Sequence, residues 1–264
     1  MTYILIFFGV IVLIALVSYL IGLNVKKEQK NEEKNNPDIS LENEDMINGS
    51  TKTYYESGEL MRTLNHIDDV QQGEEKWYYK SGELKCCLNY VDGLKQGEYK
   101  EYYESGELYI TENYVDDVQQ GEFKRYYKSG ELEYTENLID GLVQGQNKGV
   151  YKSGELKFTV NYVDNLAEGE FKQYYESGEL QHTVNFIDGL KQGESKNYYK
   201  SGELRSTANY VDGAMQGEWK SYYESGELKY TGNNIDDVEQ GERKNYNKSG
   251  ELIGTENLID GVVQ

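Results

Sequence analysis

The sequence predicts an all-β fold. It is an elongated antiparallel β-hairpin solenoid, a single-layer meander of nine 24-residue repeats after an N-terminal transmembrane helix. Three observations predict it. The stretch Tyr-Tyr-Glu-Ser-Gly-Glu-Leu at Tyr54 returns with small edits at Tyr78, Tyr102, Tyr126, Val150, Tyr174, Tyr198, Tyr222 and Tyr246. Two turn signals alternate along the chain, Ser-Gly and Asp followed by Gly, Asp or Asn, residues that accept the positive φ of tight hairpins. Between the turns lie runs rich in Tyr, Thr, Val and Phe, which favour strands, with no proline after Pro37 and no helical stripe.

The first element is residues 3–23, Tyr3 to Leu23, which carry no charge. As a helix they would span about 31 Å, close to the ~30 Å hydrocarbon core of a bilayer. No Lys or Arg precedes the run, and Leu-Ile-Gly-Leu-Asn is a poor cleavage site, so an uncleaved anchor is expected. Lys26, Lys27, Lys30 and Lys34 all follow the span, which places the repeats on the cytoplasmic side by the positive-inside rule. Residues 24–46 read as a polar linker holding Pro37. Residues 47–264 are the array.

Within a repeat, positions are counted from the Gly of Ser-Gly-Glu-Leu as zero. Gly at −9, Lys at −6, Glu at +1, Leu at +2, Asn at +7 and Asp at +10 occur in every copy, and +9 is always Val or Ile. Each unit is expected to be a hairpin joined to the next in a continuous meander. Pairing across a two-residue Ser-Gly turn would set Tyr at −3 against Leu at +2. Positions −7, +6 and +8 would share the more apolar face. The other face would pair Lys at −6 with Thr at +5, and Glu at −8 with Asn at +7. Position −2 reads Glu56, Lys80, Glu104, Lys128, Lys152, Glu176, Lys200, Glu224 and Lys248. Neighbouring turns would thus set opposite charges side by side, which fixes register more than it stabilises.

Composition narrows function. A net charge of −20 argues against a nucleic-acid partner and against broad docking on anionic lipid. The chain has 26 Tyr against 6 Phe and 2 Trp, which suits a surface buried on one side and wet on the other. Adjacent Cys86 and Cys87 point to opposite faces of a strand, so they form neither a disulfide framework nor a metal site. His66 and His182 lie more than a hundred residues apart in an extended array and read as repeat drift. The repeated serines lack a nucleophile-elbow context, and the Asp-Gly turns lack EF-hand spacing. No catalytic residue, metal or cofactor is expected.

Residues 97–108, Gly-Glu-Tyr-Lys-Glu-Tyr-Tyr-Glu-Ser-Gly-Glu-Leu, show the whole pattern, which resembles the MORN repeat family in its bacterial MORN-variant form. The resemblance covers about residues 47–264. It implies a β-hairpin array used as a scaffold or binding surface, with antitoxin-like proteins among its bacterial members. Choline-binding cell-wall repeats share a Tyr-Tyr hairpin but are shorter and need regular Trp, whereas Trp77 and Trp219 are the two here.

Against the fixed frame, positions −5 and +4 vary. Trp77, Ile110, Tyr134, Phe158 and Tyr230 stand there on the more apolar face and are the candidate partner surface. Relaxed drift is the competing explanation. The expected function is a membrane-anchored repeat scaffold that binds a protein partner through this face. A passive spacer and a cell-surface ligand- or glycan-binding module are the alternatives.

Overall fold

In a computed structural model the chain forms one continuous antiparallel sheet built from nine successive hairpins. The structure describes residues 39–40 and 48–264. The expected membrane helix at 3–23 and most of the linker lie outside the described residues. Within the linker, Ile39–Ser40 forms a short strand paired with Tyr54 and Tyr55. Among the described residues no helix is long and apolar enough to cross a membrane.

Two kinds of turn alternate, as the sequence implies, but they differ in size. The Asp turns are two-residue loops: Val91 pairs with Leu94 around Asp92 and Gly93, at φ 52° and 79°. Both residues are left-handed, the conformation that lets the turn follow the twist of its strands. The Ser-Gly turns are not two-residue loops. Tyr55 N–H donates to Glu59 O, and Gly58 N–H donates to Tyr55 O, so the loop is Glu56-Ser57-Gly58 with glycine in a bulge. One extra loop residue moves the register. Leu60 pairs with Tyr54 at −4, and the same shift recurs in each hairpin, as at Tyr126 and Leu132. The expected pairing of Tyr at −3 with Leu at +2 is therefore wrong. The remaining pairs hold: Lys100 opposes Thr111 and Glu98 opposes Asn113.

Tyr at −3 does something else. Its hydroxyl donates to the backbone carbonyl at −4 of the following repeat. The bonds run from Tyr55 to Tyr78, from Tyr79 to Tyr102, and so on through Tyr223 to Tyr246, at 2.7–2.9 Å. Each is worth about 0.5–1.5 kcal/mol net. In the ninth copy Asn247 replaces the tyrosine and instead closes its own turn, accepting from the backbone of Ser249 and Glu251. The lysines at −2 also face the preceding copy. Lys80 lies 5.3 Å from the ring of Tyr55, and Lys248 lies 5.7 Å from that of Tyr223. The Glu59 carboxyl is held below its ordinary value by the Ser57 hydroxyl and its own N–H, with Lys80 adding to the effect.

The opposite edge is stitched by backbone. The N–H at +11 donates to the carbonyl at −11, as from Gly141 to Gln119 at 3.0 Å. Where +11 is Asp or Asn, its side chain adds a second bond to the N–H at −11: Asp117 to Lys95, Asn165 to Val143 and Asp237 to Met215. Gln at −10 reaches the Asp at +10, as in Gln120 to Asp140 at 2.7 Å.

Between hairpins the ladder is interrupted. Leu88 alone spans the three residues Gly97 to Tyr99 of the next strand. With three residues opposite one it is larger than a simple bulge, and it turns on Gly97 at φ 79°. A Cβ there would meet nothing within 4 Å, so backbone conformation rather than space requires the glycine. The bulge recurs at each junction and bends the strand. The fully buried side chains nearly all sit on one face, at −7, +6 and +8: Leu64, Leu88, Val160, Val184, Leu138, Leu258, Glu75 and Asn147 among them. In a one-layer sheet such burial requires the sheet to bend toward that face. The other face carries ion pairs along single strands, such as Lys100 to Glu98 at 2.7 Å. Both partners are well exposed, so each pair contributes only ~0.2–1 kcal/mol.

Candidate interaction surface

Register turns the variable positions into one line. Starting at Arg62, each strand hands the row to its neighbour: Trp77, Cys86, Glu101, Ile110, Arg125, Tyr134, Gly149, Phe158, Gln173 and His182. It continues through Asn197, Ser206, Ser221, Tyr230 and Asn245. All five sequence candidates stand in this row, half-buried on the inward-bending face. The structure brings Tyr134 and Phe158 together, with ring centroids 6.1 Å apart. Trp77, Ile110 and Tyr230 stay apart from them.

The neighbours of each candidate decide what it is free to do. The Arg62 guanidinium lies 4.7 Å from the Trp77 ring, and the Trp77 indole N–H donates to Glu75 at 2.8 Å. Glu75 is 5% exposed and is also bonded by Arg62, so its buried charge is paired. The Tyr134 hydroxyl donates to Glu136 at 2.7 Å and accepts from Asn147 at 2.7 Å. Tyr114 and Tyr99 likewise donate to Glu112 and Glu101. Burial first, then these carboxylates, push the Tyr114 and Tyr134 phenols upward; for Tyr99 burial is followed by Cys86 and then Glu101. The tyrosine tips over this part of the face are therefore already bonded inside the sheet.

Phe158 has a dedicated seat. Its ring lies over Gly149, where an added Cβ would stand 2.2 Å from a ring carbon. From Phe158 a run of rings continues through Phe171 at 6.2 Å to His182 at 5.7 Å and Phe186 at 6.4 Å. A cavity of about 600 Å³ opens beside it, lined by Phe158, Val160, Tyr162, Leu166, Phe171 and Phe186 among others. The sequence placed Phe171 and Phe186 on this face but did not mark them as site residues, because only −5 and +4 were read as variable. His182 bonds Ser195 at 3.0 Å, and burial, then Lys191, holds its ring below the ordinary value.

Further along, the row turns small and polar at Asn197, Ser206 and Ser221. A second cavity of about 410 Å³ opens there, between Trp219, Tyr210, Asn234, Asp237 and Glu239. Among the described residues no group of His, Cys, Asp and Glu is placed to hold a metal ion. Cys86 is pushed up to about 11 by burial, and Cys87 is raised for the same reason. Neither thiol is an activated nucleophile.

Solved structures bear only a faint likeness to the chain. A GtfA/B complex bound to UDP and GlcNAc is 16% identical over 44% of this chain and 22% of that one, with a TM-score of 0.20. A TcdB2-TccC3-Cdc42 structure is 14% identical over 83% and 16%, at 0.19. A Photorhabdus luminescens Tc holotoxin pore is 15% identical over 81% and 14%, at 0.20. Scores this low do not bear on the fold, and the chain spans under a quarter of each. No curated protein matches the chain. The MORN repeat variant family matches residues 47–68, 71–92, 95–116, 119–140, 167–188, 191–212 and 215–233. The copy between the fourth and fifth matches departs from the pattern at Gln146, Gly149 and Val150, three positions where its neighbours carry Glu, a long side chain and Tyr. The matched segments cover more than half of the sequence, and their spacing is that of the hairpins: the chain belongs to the MORN repeat variant family.

Proposed function

We propose that the array is a membrane-anchored scaffold that binds a protein partner through the inward-bending face, centred on the Tyr134–Phe158–Phe171 cluster. The observation that carries this is a run of neighbouring rings, Tyr134, Phe158, Phe171 and Phe186, the last three of which line one apolar cavity, while the frame around them stays constant. Apolar concavities with a few fixed polar groups are the usual form of a recognition site. No residue here is proposed to be catalytic. The anchor at 3–23 would hold the array at a bilayer, with the repeats on the cytoplasmic side. The test is co-purification with a crosslinker, using the full chain and a Tyr134→Ser, Phe158→Ser, Tyr230→Ser variant that retains its β-sheet signal. Partner capture surviving in that variant places the contact elsewhere. Capture of nothing by the unaltered chain favours a passive spacer.

A second reading rests on the polar cavity. An aromatic pair, Trp219 and Tyr210, faces amides, hydroxyls and two carboxylates, a lining suited to a hydroxyl-rich ring such as a glycan unit. Retention on glycan resin that disappears in Trp219→Ala supports it, and equal retention of both proteins rejects it.

A further inference from the structure

The exposed apolar surface of the array is not on the tyrosine face. It follows the Asp-turn edge, where +9 and −12 pair around each turn, as Val91 with Leu94 and Ile187 with Leu190. Among the described residues, 17 of the 21 exposed large hydrophobics stand at these two positions, and Ile187 and Leu190 are 48% and 49% exposed. A repeated row of exposed apolar side chains along one edge marks an interaction site. A structural reason for position +9 exists, since Val and Ile suit strands, but it does not require both partners to stay exposed in nearly every pair, Val211 with Ala214 being the exception.

The rim of this ridge is acidic. Asp stands at +10 in all nine copies, with Asp69, Asp117 and Asp237 beside it at +11. On the same face, +7 is always Asn and −8 is Glu in seven copies, with no Lys or Arg until −6. The lysines at −11, Lys95 and Lys191, turn to the other face and lie over the Tyr114 and Tyr210 rings at 4.9 and 5.0 Å. A second copy of this edge, or an anionic bilayer, would meet the ridge with like charge.

Spacing selects the partner's form. Apolar pairs recur once per hairpin, about 10 Å apart. A helix rises about 10.5 Å per heptad and presents two apolar positions in it, one pair per repeat. An extended strand covers the same distance in about three residues, which alternates its faces. We propose that the Asp-turn ridge docks a basic amphipathic helix of a partner protein, with heptad-spaced apolar residues on the Val/Ile/Leu pairs and Lys or Arg against the turn aspartates. This surface is separate from the tyrosine face.

The test uses the full chain in non-ionic detergent on a biosensor, with a synthetic four-heptad helix bearing Leu at a and d and Lys at e and g. Its counterpart bears Glu at e and g. The Lys helix is expected to bind at least tenfold tighter than the Glu helix, and more weakly as salt is raised. Val163→Thr, Leu166→Thr, Ile187→Thr and Leu190→Thr together keep strand formers in place and should cut binding at least tenfold. Asp140→Asn, Asp164→Asn and Asp188→Asn together keep residues that turns accept and should also weaken it. Equal binding of the two helices, or undiminished binding by either folded variant, overturns the proposal. So does binding of phosphatidylcholine/phosphatidylglycerol vesicles, blocked by the ridge variant, in place of the Lys helix.

Discussion

One hydroxyl per repeat joins neighbouring hairpins at the Ser-Gly edge. Tyr127→Phe removes the 2.9 Å bond to Val150 O and leaves the ring in place. It is expected to cost about 1 kcal/mol, read as a lower denaturation midpoint with unchanged circular dichroism. An unmoved midpoint would show that the bond contributes nothing. Val150 itself illustrates what a sequence conceals: it breaks the tyrosine column at −4, yet the bond from Tyr127 uses only its carbonyl. The thiols give a second prediction at this scale. With Cys86 pushed up to about 11, and Cys87 raised too, both should react with a maleimide at pH 8 well below the rate of a free thiol. Urea should restore the full rate. Any use of these thiols to report which side of a membrane the repeats occupy therefore needs a denatured control. Fast labelling of the folded chain would contradict the burial described.

At the scale of the element, two glycines, one present in every copy and one in a single copy, have different reasons. Gly97 is required by φ, so Gly97→Ala should cost about 1–2 kcal/mol although its surroundings are open. Gly149 is required by the Phe158 ring, so Gly149→Ala should cost about 1–3 kcal/mol by overpacking. Adding Phe158→Ala to Gly149→Ala should then cost less than the two single changes sum to, whereas Gly97→Ala should add independently of Phe158→Ala. Strict additivity in the Gly149 pair would mean that the ring does not occupy that seat. The two-turn alternation and the buried positions −7, +6 and +8 were legible, because turn chemistry and period-two alternation are local signals. The −4 register was not, since one extra loop residue leaves no mark in composition. The constant Val or Ile at +9 was visible, but only the geometry shows it half exposed beside a row of aspartates.

For the whole molecule, stability is a chain of neighbour terms, so the end hairpins should open first. Amide exchange should be slowest near Val160 and Val184 and fastest near Leu252; uniform protection would imply one all-or-none unit. pH acts on the array as a whole. Burial raises Cys86 from 9.0 to about 11, and Tyr90, Tyr99, Tyr114 and Tyr134 are raised as well. The unfolded chain releases these protons first, so the folded state holds more protons and loses stability as pH rises. The denaturation midpoint should fall between about pH 9 and about pH 11, beginning with Cys86, and Cys86→Ser should shallow the early part of that fall. A flat profile would show that these groups are not buried in solution.

The stitch from a tyrosine hydroxyl to a backbone carbonyl has a consequence for how such a chain can change. A carbonyl is the same on every residue, so the joint does not inspect what it joins. A hairpin can be copied, lost or exchanged as a whole 24-residue unit, and both new seams close with the chemistry already present. Copy number and surface identity can then vary independently, the length of the molecule being edited like a count and its faces like a text.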